Sequence, residues 1–157
     1  MFVKRIVFED FVNYKKTSMF IGFPKCTFKC EKDCGKRICQ NSPLANSPSI
    51  WVNDESIIDR YIKNPMTKAI VCGGLEPLDT KEELLTFIGK VRERCDDDIV
   101  IYTGYREDEV SDFIKAVSQF KNIIIKFGRF VPDKQSHYDN ILGVSLASSN
   151  QYAKKIS

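Results

Sequence analysis

Apolar residues in this chain follow two rhythms. Short β-branched and aromatic runs at Phe2–Phe8, Thr17–Gly22, Lys68–Cys72, Ile99–Tyr102, Asn122–Lys126 and Ile141–Leu146 each predict a strand. Between them, apolar residues recur at helical spacing. Asn53 is placed to cap a helix with Ile57, Ile58, Tyr61 and Ile62 on one face, which Asn64-Pro65 stops. Thr80 and Glu83 form a capping box ahead of Leu84, Leu85, Ile88 and Val91. Glu107 to Gln119 predicts a third helix, with Val110, Phe113, Ile114 and Val117 inward.

Strands alternating with helices argue for an α/β chain with a largely parallel sheet, and such sheets bind ligands at the carboxyl ends of their strands. Four irregular segments follow predicted strands and are expected on one rim. They are the loop after Gly22, the Gly73-Gly74 turn, the Thr103-Gly104 turn and Ser148-Ser-Asn-Gln151. The lysine-bearing segment beyond Gln151 is read as a tail. No internal repeat or linker divides the sequence, so residues 1–157 are expected to form one domain.

Composition narrows the class. Hydrophobic residues at 43% and charged residues at 29% suit a globular chain. No apolar run is long enough to span a bilayer, and the N-terminus has charges inside its apolar run rather than a signal peptide's pattern. A cytoplasmic, reducing setting is expected. Six cysteines there point to metal or redox chemistry before disulfides. Net charge is +3, unevenly spread: residues 1–40 carry nine Lys/Arg against four Asp/Glu. This basic end is either a solvated face or a docking surface for an acidic partner such as an electron carrier. Nucleic acid is not expected, since no basic stripe is interleaved with aromatics.

Four of the cysteines, Cys26, Cys30, Cys34 and Cys39, lie in the loop after the second strand. The gaps of three, three and four residues lack the close pairs of a zinc site, and the lone His137 reads as a distant loop residue. A thiolate-held iron–sulfur cluster suits clustered cysteines without that spacing. Four ligands would close such a cluster, whereas three would leave one iron open. The residues alone leave both possible.

Cys26-Thr-Phe-Lys-Cys30 resembles the opening of the radical S-adenosylmethionine cysteine motif. Further segments resemble the activating proteins of anaerobic (class III) ribonucleoside-triphosphate reductase. Cys39-Gln-Asn41 is similar to that family's Cys-His-Asn, and Gly73-Gly-Leu-Glu-Pro77 to its Gly-Gly-Asp/Glu-Pro turn. Ile101-Tyr-Thr-Gly-Tyr105, Phe127-Gly-Arg-Phe130 and Ala147-Ser-Ser-Asn-Gln151 resemble three more of its segments, in the same order. Two departures stand out. Eight residues separate Cys30 from Cys39 where the family has two, with Cys34 inside the insertion, and Leu75 replaces a glycine.

The resemblance implies a partial (open) β/α barrel of the radical S-adenosylmethionine type. Cys26, Cys30 and Cys39 would hold a 4Fe–4S cluster, with Cys34 as the alternative third ligand. Cys39 is preferred because Gln40-Asn41 continues the family pattern behind apolar Ile38. Ile38, Cys39, Gln40, Gly73, Gly74, Glu76, Tyr102, Thr103, Ser148, Ser149 and Asn150 would surround S-adenosylmethionine. Reductive cleavage would yield methionine and a 5′-deoxyadenosyl radical, which abstracts hydrogen from a glycine of a large reductase subunit. That chemistry needs no general acid or base, so no further catalytic side chain is assigned. A flavodoxin- or ferredoxin-like protein would donate the electron. Two alternatives remain: an activase of a formate-lyase type of glycyl-radical enzyme, and a non-catalytic four-cysteine module that binds a metal or an iron–sulfur cluster.

Overall fold

In a computed structural model describing residues 1–157, most of the apolar runs assemble into one six-stranded mixed sheet. The elements in chain order are β1 (Phe2–Val3), β2 (Arg5–Asp10), β3 (Ser18–Phe23), α1 (Lys29–Cys34), α2 (Ser42–Asn46), β4 (Ile50–Trp51), α3 (Asp54–Lys63) and β5 (Ala69–Gly74). They continue with α4 (Lys81–Arg92), β6 (Asp98–Tyr102), α5 (Ser111–Val117), β7 (Ile123–Phe127), β8 (His137–Asp139), β9 (Val144–Leu146) and β10 (Tyr152–Lys155). The main sheet runs β10-β7-β6-β5-β3-β2. Its four central strands are parallel, and β2 and β10 close the two sides antiparallel.

Residue parity along the strands divides the interior. Met19, Ile21, Ile70, Cys72, Ile99, Ile101, Ile123 and Ile125 face the three longer helices and join a buried cluster of 21 residues. Ala69, Val71, Val100 and Ile124 face the other way, into a cluster of eight that includes Leu142 and Leu146. Burial on both faces is why the parallel strands are continuous apolar runs.

Asn53 caps α3 as expected, its Oδ1 accepting from the Glu55 and Ser56 amides. Several expectations are corrected. The Phe2–Phe8 run breaks at Lys4, because Phe2–Val3 pairs with Ile50–Trp51 while Arg5 onward pairs with β3. Thr80 forms no capping box; a 3₁₀ turn over Pro77–Thr80 leads into α4, and Glu76 caps that turn through the Leu78 amide. The Glu107–Gln119 helix splits at Val110 into a 3₁₀ turn and α5. Gly73 and Gly74 complete β5 rather than turning away from it.

The last part of the chain also differs. Only Val144–Leu146 of the Ile141–Leu146 run is a strand, and it pairs with His137–Asp139 in a separate hairpin, so His137 is not a loop residue. The presumed tail supplies the sheet's final strand, β10. Buried Asp139 links hairpin to sheet by accepting from the amides of Ile141, Leu142 and Ala153. No helix is long and apolar enough to cross a membrane.

Candidate iron–sulfur centre and adjoining cavity

The carboxyl ends of β3, β5, β6 and β7 open onto one cavity of about 330 Å³. Gly73, Tyr102 and Lys126 share one face of the sheet, continuing the Val71, Val100 and Ile124 row, and that row leads from the smaller core cluster to the cavity. Gly74 sits at a φ of +87°, and a Cβ there would lie 2.7 Å from Gly22 Cα. Glycine is therefore required for β3 and β5 to approach at the rim.

Beyond β3, Cys26 lies in the connecting loop and Cys30 in the first turn of α1. Gly35 ends that helix in the left-handed conformation, donating to Glu31 O at 2.8 Å. The inserted residues then double back. Glu31 Oε1 accepts the Cys39 amide at 3.1 Å, returning Cys39 to the side of Cys30. Asn41 Nδ2 donates to Gly74 O at 2.6 Å, fastening the returning segment to the end of β5.

Cys26, Cys30 and Cys39 all line the cavity, and Cys34 does not. The Cys34 thiol instead shares its one S–H between the carbonyls of Lys36 (3.4 Å) and Glu31 (3.6 Å). Burial pushes the Cys26 thiol up to about 11, opposed by the Phe28 amide, which donates to its sulfur at 3.2 Å. Burial also raises Cys30, with the neighbouring Cys39 adding to the shift. No three His, Cys, Asp or Glu side chains converge tightly enough for a single metal ion. A multi-iron cluster does not demand that convergence, because each thiolate binds a different iron. Three half-buried free thiols around one cavity therefore fit a thiolate-ligated cluster.

Of the other expected site residues, Ile38, Gln40, Gly73, Gly74, Glu76, Tyr102 and Thr103 line the same cavity. Ser148, Ser149 and Asn150 lie outside it, although their neighbours Ala147 and Gln151 reach it. Ser148 Oγ accepts the Val131 amide and Asn150 Nδ2 donates to Arg129 O, so this segment braces the Gly128–Val131 loop. Glu76 is buried. Its Oε1 accepts from Thr103 Oγ1 and the Leu78 amide, and its Oε2 from the Gly104 amide at 2.8 Å. Burial raises this carboxyl to about 7 even against those three donors.

Lys126 was not anticipated from the sequence. It is buried on β7 and lines the cavity, with Nζ donating to Gly128 O at 2.8 Å. Burial lowers it to about 8, opposed by the charge of Glu76. The clue was a single lysine in Ile123-Ile-Ile-Lys-Phe127, on the same face as Ile124. Tyr105 and Arg129 were also missed as lining residues. Tyr105 donates to Asp79 Oδ1 at 2.6 Å, and Asp79 Oδ2 accepts the Thr27 amide at the same distance, so Asp79 joins the cysteine loop to β6's rim. Arg129 pairs with Glu109 through two bonds of 2.9 and 2.7 Å.

No curated protein and no solved structure matches the chain. A family model described as a 4Fe-4S single cluster domain matches residues 15–153, from the strand ahead of the cysteines to β10. The three thiols on the cavity lie within that match, and the chain belongs to the 4Fe-4S single cluster domain family.

Proposed function

We propose that this protein is a radical S-adenosylmethionine enzyme that generates a glycyl radical on the large subunit of an anaerobic ribonucleotide reductase. One observation carries the reading: Cys26, Cys30 and Cys39 meet at one cavity while Cys34 is turned away from it. A three-thiolate set leaves one iron of a 4Fe–4S cluster free of protein ligands. The cluster, when bound, supplies the single electron for reductive cleavage of S-adenosylmethionine.

The chain's own residues position that substrate. Lys126 is the buried cation available to a ligand carboxylate, because its hydrogen bond goes to a neutral carbonyl. The end of β5 presents backbone groups for the ammonium. Glu76 holds the Thr103-Gly104 corner in place and gives the cavity a carboxyl that ionises near neutrality. Ile38 and Tyr102 supply apolar lining for the nucleoside. In this reading the four parallel strands would serve as the wall of a partial β/α barrel, with residues 1–157 as one activase domain. A flavodoxin- or ferredoxin-like donor and a cytoplasmic setting belong to the same reading.

Anaerobic reconstitution with iron and sulfide tests it. The loaded protein, reduced in the presence of S-adenosylmethionine, should release 5′-deoxyadenosine and methionine. A fully loaded protein that releases neither contradicts the proposal. A four-thiolate binding module is the second reading, favoured by the family description, which specifies a cluster and no reaction. It requires Cys34 to give up its shared hydrogen bond to the Glu31 and Lys36 carbonyls and turn inward.

A further inference from the structure

The inserted segment between Cys30 and Cys39 pairs its acids and leaves its cations unpaired. Its two acids have partners of their own: Glu31 accepts the Cys39 amide, and Asp33, although exposed, lies 3.2 Å from Arg129 Nε. Its three cations, Lys32, Lys36 and Arg37, are exposed, as is Lys25 beside Cys26. None of the four forms an ion pair, whereas Lys29, which points inward, meets Glu109 at 3.7 Å and lies 4.3 Å from the centre of the Tyr105 ring. The turn at Gly35 ends α1, and the Glu31 bond to the Cys39 amide closes the segment into a compact loop that carries Lys32, Lys36 and Arg37.

Like charges gathered on one short loop repel, and the loop's three cations outnumber its two acids. Such a surface raises the encounter rate with an oppositely charged partner. The loop is also bounded at its two ends by two of the cavity thiols, Cys30 and Cys39. We propose that residues 31–38, with Lys25, form the docking surface for an acidic one-electron donor protein. The electron leaves the donor's reduced centre, which is oxidised by one electron, and the cluster is reduced by one. A nucleic-acid face fits less well, since Phe28, the nearest aromatic in sequence, is half-buried and offers no stacking platform. The inference rests on the cluster reading alone and not on which glycyl-radical protein is the target.

The test uses oxidised flavodoxin as the acidic probe, titrated against the full chain at two ionic strengths. Wild-type affinity should fall on the order of tenfold between low and moderate salt. A Lys32→Gln/Lys36→Gln/Arg37→Gln variant should bind on the order of tenfold more weakly at low salt and lose most of that salt dependence. Its cluster should still be reduced at the wild-type rate by an uncharged photoreductant. Salt-independent binding by the wild-type protein overturns the proposal without any variant. So does unchanged affinity in the triple variant, or binding of a single-stranded oligonucleotide at this surface in place of flavodoxin. Failure of the uncharged reductant on wild-type protein would instead count against the cluster reading.

Discussion

Two buried residues of opposite sign set the character of the cavity. Glu76 ionises near pH 7 in the folded chain and near 4.5 when unfolded, so the folded state holds a proton that the unfolded state has released. Its stabilising contribution is therefore present at low pH and lost as pH rises through that window, by on the order of 3 kcal/mol. Denaturant titrations at several pH values should show this decline, and Glu76→Gln should flatten it. Lys126 has the opposite sign of shift for a base: its contribution recovers only as pH rises from about 8 toward its ordinary 10.5. Near neutral pH, Lys126→Met should stabilise the fold by about 2 kcal/mol while abolishing S-adenosylmethionine binding, measured by calorimetry on loaded protein. Glu76 was legible in the sequence because Gly-Gly and Pro flank it. Lys126 was hidden because one lysine in a strand reads as an edge or a solvated position until the neighbouring strands are placed.

The elements were legible where periodicity alone decides them. The central strands and the Asn53-capped helix match their apolar patterns because both strand faces are buried and one helix face is. Boundaries failed where side chains had competing partners. Thr80 donates to Pro77 O within a 3₁₀ turn instead of capping α4. The short Tyr-Ala-Lys-Lys strand β10 was missed because only Ala153 of its four residues is buried. Asp139 shows what β10 depends on. Asp139→Ala would leave three amides without their acceptor, two of them on buried residues, and should destabilise the protein by about 2–4 kcal/mol, read from the urea midpoint. Gly74→Ala, with its positive φ and 2.7 Å contact to Gly22, should cost a similar amount and lower cluster occupancy by separating the rims of β3 and β5.

At the level of the whole molecule, helices cover one face of the sheet and leave the other, at the carboxyl ends, to the cavity and the cysteine segment. The rim expected from strand order is present for the cysteine, Gly-Gly and Thr-Gly segments. The Ser148–Asn150 segment is set back because Ser148 and Asn150 bond to the Gly128–Val131 loop. Sequence spacing alone could not decide between Cys34 and Cys39, since the path of an insertion depends on contacts such as Glu31 to the Cys39 amide. The most direct test of the account is iron and sulfide content, with the spectrum of the reduced cluster, in anaerobically reconstituted Cys34→Ser and Cys39→Ser proteins. The account predicts four irons and a wild-type spectrum in Cys34→Ser, and loss of the cluster in Cys39→Ser. A cluster that is lost without Cys34, or that survives without Cys39, contradicts it.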